Sequence, residues 1–156
     1  MGKRVLGIDP GTIKSGFGIV EFQTGKYIPI DGGLIRFSST DLQIILVEMA
    51  NELDSILEKN SIDEVAIETV FFAKNPKSII KLSQFRGALL LYFLQKGFKI
   101  WEYSPLEIKQ SVTGNGKATK EQVNFMVKKL LGIHGEMKPF DISDSFAVAI
   151  TQIQRG

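Results

Sequence analysis

The chain has 156 residues, 44% of them apolar, which is enough for one domain with a sizeable core. It has no cysteine and one histidine, which excludes disulfides and zinc sites built from thiolates or several histidines. The sequence starts without a signal-peptide segment and holds no apolar run long enough for a bilayer. We therefore expect a cytoplasmic protein with no membrane partner.

Three strands are predicted first, over residues 3–9, 17–22 and 27–37. Thr24-Gly25 predicts a hairpin turn between the second and the third. Within the third, Asp31-Gly32-Gly33 predicts a bulge, in preference to a turn that splits the strand.

A helix, a strand and a second helix follow. Thr40 and Gln43 have the spacing of a capping box, and the helix that they predict ends at Asn60. Residues 64–68 form an apolar strand ending in Glu. Asn75-Pro76 then predicts an N-cap and first helical residue of a helix that runs to about residue 95.

The last third of the chain predicts a strand and three helices. The strand covers residues 98–103, and Ser104 with Glu107 forms a capping box that opens a short helix. Thr119 with Gln122 caps the next helix, and the last helix covers about residues 141–154. This order predicts an α/β fold, a five-stranded mixed sheet flanked by helices on both faces, in a single domain over residues 1–156.

Charge is unevenly distributed along the chain. Residues 1–68 carry 6 Lys or Arg and 11 Asp or Glu, whereas residues 69–120 carry 9 and 2. A strongly basic middle predicts a polyanionic partner, and a solvated basic helix face is the alternative.

Four carboxylates stand beside apolar runs. Asp9 and Glu68 end predicted strands, and Asp141 and Asp144 lie one turn apart on the last helix. Singly, Asp9 could form a turn and Asp141 could be an N-cap. Together, buried acids favour a site for hard cations: Mg²⁺, with Mn²⁺ as an expected substitute, and two ions per site if the chemistry is phosphodiester hydrolysis.

Sequence motifs cover nearly the whole chain, in order, at residues 7–12, 16–18, 66–75, 84–87, 102–105, 108–114, 116–123 and 141–150. The combination resembles the RuvC family of bacterial Holliday-junction resolvases. The resemblance implies an RNase H-like fold, a homodimer and Mg²⁺-dependent symmetric nicking of four-way DNA junctions in recombination and repair. It also implies the RuvA–RuvB branch-migration proteins as partners.

The resemblance further implies which residues act. Those expected to be catalytic and to bind the metal are Asp9, Glu68, Asp141 and Asp144. Lys109 and Lys120 fall on DNA-contacting positions, and Phe71 on the junction-stacking aromatic. From the residues themselves, the further DNA contacts expected in the basic middle are Phe72, Lys74, Lys77, Lys81 and Lys117.

Two other functions stay open. One is an RNA-processing nuclease of the same superfamily that resembles the YqgF group, and the other is a junction-binding module without catalysis. The helix over residues 76–95 is apolar on more than one face, which fits either a two-fold partner or simple burial.

Overall fold

The structure is a computed structural model that describes residues 2–69 and 75–156. The elements in chain order are β1 (Lys3–Asp9), β2 (Lys14–Gln23), β3 (Lys26–Arg36), α1 (Leu42–Lys59), β4 (Glu64–Glu68), α2 (Pro76–Gln95), β5 (Ile100–Tyr103), α3 (Pro105–Thr113), α4 (Lys120–Leu131) and α5 (Phe140–Arg155). Three predicted DNA contacts, Phe71, Phe72 and Lys74, lie outside the described residues.

The strands form one mixed sheet in the order β3-β2-β1-β4-β5. The first three strands are an antiparallel meander, and β4 pairs in parallel with both β1 and β5. The first and fourth strands are therefore neighbours in the sheet. This matters because the carboxyl ends of parallel neighbours open on the same edge of a sheet.

Helices cover both faces of this sheet, as predicted. Successive residues of a strand point to opposite faces, so Val5 packs under α3, α4 and α5 while Leu6 packs under α1 and α2. Both side chains are fully buried. Among the described residues, no helix is both long enough and apolar enough to cross a membrane.

Glycines let α5 lie directly on the sheet. A Cβ atom at Gly7 would overlap the backbone of Ser145, and one at Gly16 would overlap the carbonyl of Asp141. The ring of Phe146 is buried against Gly18 and Gly32. The close approach brings the first two turns of α5, with Asp141 and Asp144, to the edge where β1 ends.

The predicted bulge in β3 is present but lies one residue before its predicted position, and the predicted N-cap of α1 was wrong. In β3, Ile19 pairs with Asp31 and Val20 with Pro29, so the extra residue is Ile30 and not the Asp31-Gly32-Gly33 segment. The irregularity sits beside Pro29 because proline cannot donate a hydrogen bond to the ladder. The N-cap of α1 is Asp41, which accepts a hydrogen bond from the Gln43 amide, and not Thr40.

Other boundaries differ at strand and helix starts. Strand β2 begins at Lys14 because its first residues pair with the end of β3, although Lys14-Ser15-Gly16 has weak strand propensity. Strand β5 begins at Ile100 instead of residue 98. Pro139 occupies the N-cap position of helix α5 without a side-chain hydrogen bond. Asp141 therefore lies inside the first turn, and the alternative of an N-cap at Asp141 is wrong.

Candidate active site

Strand register places the first two acids side by side. Ile8 of β1 pairs with Ile67 of β4, so Asp9 and Glu68 follow in adjacent parallel strands at one edge of the sheet. Their side chains are close enough to share a hydrogen bond. Two residues 59 positions apart in sequence thus form one acidic pair.

Helix α5 supplies the other two acids. One carboxylate oxygen from each of Asp9, Asp141 and Asp144 lies within 4.8 Å of the others, a spacing that can hold one metal ion. Glu68 stands outside this three-residue group and lines the same cavity of about 390 Å³. The structure therefore brings all four predicted catalytic acids to one cavity.

The acids are costly to keep ionised in this position. Burial, and then the charge of Glu68, raises the pKa of Asp9 far above its usual range. Burial, and then the charge of Asp144, raises the pKa of Glu68. Burial is also the main reason that the pKa of Asp144 rises to about 6, with a smaller contribution from Asp141. A bound cation would remove this repulsion, so the donor set fits a hard divalent metal ion.

Two of the predicted DNA-contacting lysines reach the same cavity. Lys109 of α3 and Lys120 of α4 both line it, and their charges partly offset the raised pKa values of Glu68 and Asp144. With this arrangement, the carboxylates can hold a metal ion while the lysines around them bind a phosphate.

The N-terminal turns of three helices also line the cavity. Helix α3 contributes Pro105 and Ile108 from its first turn, α4 contributes Lys120 and Val123, and α5 contributes Asp141 and Asp144. Three helix N-termini therefore face one cavity. The positive ends of their dipoles favour negative charge there, on the acids and on an incoming phosphate.

The other predicted lysines stand apart from the cavity. Lys77, in the first turn of α2, and Lys117, in the turn before α4, are both exposed. Lys81 donates a hydrogen bond to the carbonyl of Thr40, which ties α2 to the segment before α1. None of these three residues lines the acidic cavity.

One residue at the site was missed in the sequence. Lys14 forms an ion pair with Asp141, with Nζ 3.0 Å from Oδ2. It was overlooked because the second strand was expected to begin at residue 17. Its place between the Gly11-Thr12 turn and the Gly16–Gly18 motif is the signal that could have identified it.

The comparisons point to one family. Residues 5–152 match the family model described as "Crossover junction endodeoxyribonuclease RuvC". Proteins of that name from Sulfurovum sp. (strain NBC37-1) and Helicobacter pylori (strain G27) are each 52% identical over 97% of this chain, which covers 95% and 97% of their lengths.

Solved structures agree. Thermus thermophilus RuvC is 28% identical with a TM-score of 0.84, over 96% of this chain and 93% of that chain. T. thermophilus RuvC in complex with Holliday junction substrate is 27% identical with a TM-score of 0.89, over 97% and 93%. The yeast mitochondrial resolvase Ydc2, at 18% identity and a TM-score of 0.72 over 97% and 78%, is similar in fold. The predicted RNase H-like fold is confirmed.

Proposed function

Since this chain belongs to the RuvC family, a family of crossover junction endodeoxyribonucleases, we propose that it cuts four-way DNA junctions by paired, symmetric nicks. The enzyme class follows from 52% identity over nearly the full length to proteins of that name. The observation that carries the proposal is the meeting of four separated acids in one cavity.

The proposed catalytic and metal-binding residues are Asp9, Glu68, Asp141 and Asp144. Their support is a set of carboxylate oxygens alone, the donor type that Mg²⁺ prefers, with Mn²⁺ as the expected substitute. Glu68 adds a fourth carboxylate beside Asp9, and a set of four carboxylates can serve two ions. When bound, two such ions supply an activated water and stabilise the leaving oxygen of the phosphodiester.

The basic residues have a separate task. We assign Lys109 and Lys120 to the phosphate that enters the cavity, because they are the lysines that line it in the described part of the chain. Lys77 and Lys117 are exposed and are proposed to contact flanking phosphates, with Lys81 and Lys74. Phe71 and Phe72 are proposed to stack on bases at the junction.

We further propose a homodimer, with α2 at its centre. Ile80, Leu91 and Leu94 share one face of α2 and are 59%, 56% and 57% exposed. An apolar stripe of this kind is costly in water and is self-complementary across a two-fold axis. Two copies would then present two acidic cavities to one junction, which is what makes paired nicks possible. Family membership also supports RuvA–RuvB as partners, and residues 1–156 as one nuclease domain.

The dimer is tested by the variant Ile80→Asp. We expect the native protein to sediment as a dimer in analytical ultracentrifugation and the variant to sediment as a monomer. Val47→Asp is the matched control, because Val47 is 61% exposed and belongs to α1, not to α2. If the native protein stays monomeric at micromolar concentration, with and without junction DNA, the proposed homodimer is wrong.

The nuclease is tested with a mobile four-way junction, labelled in turn on each strand, in Mg²⁺, in Mn²⁺ and in EDTA. We expect nicks at matching positions of two opposite strands, and only with metal. Duplex DNA and structured RNA are the comparison substrates, and faster cutting of RNA would favour the YqgF-like alternative. Binding of the junction with no metal-dependent nicking would instead mean a module without catalysis.

The acids are tested by the variant Glu68→Gln, which keeps the shape of the side chain and removes its charge. We expect nicking to fall to background while junction affinity changes little. Nicking at the native rate would remove Glu68 from the catalytic set.

A further inference from the structure

Lys14 has a place at the site that the proposed catalytic set does not explain. It is the first residue of β2, and its amine lies 3.0 Å from Oδ2 of Asp141. The side chain of Lys14 is 37% exposed and that of Asp141 is 25% exposed. Among the described residues, this is the one ion pair within 4.0 Å that involves any of the four acids.

The direction of approach is informative. Lys14 does not line the acidic cavity, whereas Asp141 does, so the amine reaches the carboxylate from the β2 side. The fold fixes this arrangement, because Lys14 pairs with Arg36 in the sheet and the carbonyl of Asp141 packs against Gly16, two residues further along β2. A cation in the cavity and the amine of Lys14 would therefore share one carboxylate.

We propose that Lys14 is a built-in counter-ion of the acidic cluster, and that a divalent metal ion binds in competition with it. This inference rests on the proposed metal site. Without metal, the amine balances the charge of Asp141 beside the other three acids and so favours the folded site. With metal, the same positive charge repels the incoming cation and weakens the hold of Asp141 on it. Lys14 thereby sets the metal concentration at which the enzyme works.

Lys14 could instead orient Asp141 for metal binding. The two roles predict opposite changes in the Kd for metal when Lys14 is replaced. Groups behind a metal ligand often orient it, and their loss then weakens metal binding. Orientation needs only a hydrogen-bond donor, whereas a counter-ion needs the charge. Lys14→Gln keeps a donor and removes the charge, Lys14→Met removes both, and Lys14→Arg keeps both.

The experiment measures Mn²⁺ binding to the DNA-free full chain by the electron paramagnetic resonance signal of the free ion. We expect Kd for Mn²⁺ to fall by between about twofold and tenfold in Lys14→Met and Lys14→Gln, the range of a partly exposed ion pair. Lys14→Arg should restore the native Kd. In EDTA, Lys14→Met should melt at a lower temperature than the native protein, and in saturating Mn²⁺ the difference should shrink.

The matched control is Lys3→Met. Lys3 also pairs with a partly buried acid, since its Nζ lies 3.2 Å from Oε1 of Glu64, but it stands at the opposite end of β1 from Asp9. Its removal should leave the Mn²⁺ affinity unchanged.

The measurements distinguish failure of the metal site from failure of the role proposed for Lys14. Native protein that binds no Mn²⁺ would overturn the proposed metal site itself. Native protein that binds Mn²⁺, with an unchanged or raised Kd in Lys14→Met and Lys14→Gln, would leave that site standing and overturn the counter-ion role of Lys14.

Discussion

Replacing Asp144 with Asn should stabilise the metal-free protein while it destroys the nuclease. Burial raises the pKa of the Asp144 carboxyl from 3.8 to about 6. The folded chain therefore holds its proton to a higher pH than the unfolded chain does. For a carboxyl shifted in this direction, stability falls as the pH rises from about 4 to about 6, and the full penalty remains above that.

The size of the penalty follows from the shift. About two pKa units correspond to about 3 kcal/mol of unfolding free energy at pH 8, at about 1.4 kcal/mol per unit. Asp144→Asn removes this charge at similar volume. In EDTA, we expect the variant to be more stable than the native protein by up to about 3 kcal/mol at pH 8, and by little near pH 4.

Urea unfolding in EDTA at pH 4, 6 and 8, followed by circular dichroism, measures this difference directly. Metal should reverse the order, because Mg²⁺ stabilises only the protein that retains its acids. Glu52→Gln is the control for loss of a carboxylate, since Glu52 is exposed on α1 and does not line the cavity. A variant no more stable than the native protein at pH 8 in EDTA would refute the reasoning.

The remaining predictions concern single residues of the site. Asp9→Asn should reduce nicking to background with junction affinity within about threefold of native in a gel-shift assay, and a loss of binding would contradict it. Lys120→Ala should weaken junction binding and lower the slope of log affinity against log salt by about 0.9, and an unchanged slope would remove Lys120 from the interface. Gly16→Ala should destabilise the chain by about 1–3 kcal/mol in urea unfolding and slow nicking, because its Cβ would displace the carbonyl of Asp141. Gly135→Ala, whose Cβ would meet nothing within 4 Å, should do neither.

Local sequence signals predicted the secondary structure well. Apolar runs and their periods located every described strand and helix, and the capping boxes at Ser104 and Thr119 are present as predicted. The capping boxes are readable in sequence because each one joins two residues only three positions apart. The error before α1 arose because two neighbouring residues, Thr40 and Asp41, can each serve as the N-cap.

The acids were recognisable in sequence for a different reason. A carboxylate at the end of an apolar strand, such as Asp9 or Glu68, carries a desolvation cost that a fold seldom accepts without a cation. Asp141 and Asp144 joined the set because they lie one turn apart on a helix beside an apolar run, and the resemblance to RuvC then implied a catalytic role for all four acids. The family assignment is confirmed by the family model and by relatives 52% identical to the chain. The roles of the individual acids stay predictions.

By itself, the sequence determined the elements, the family and the identity of four acids. Only the tertiary structure decided that Asp9, Asp141 and Asp144 bring oxygens within 4.8 Å of one another, that Glu68 lies beside Asp9 in the same cavity and that Lys14 pairs with Asp141. Periodicity describes neighbours along the chain, whereas Lys14 and Asp141 are separated by more than 120 positions. Their contact depends on sheet order and on the glycines that let α5 lie against the strands, which no local pattern encodes.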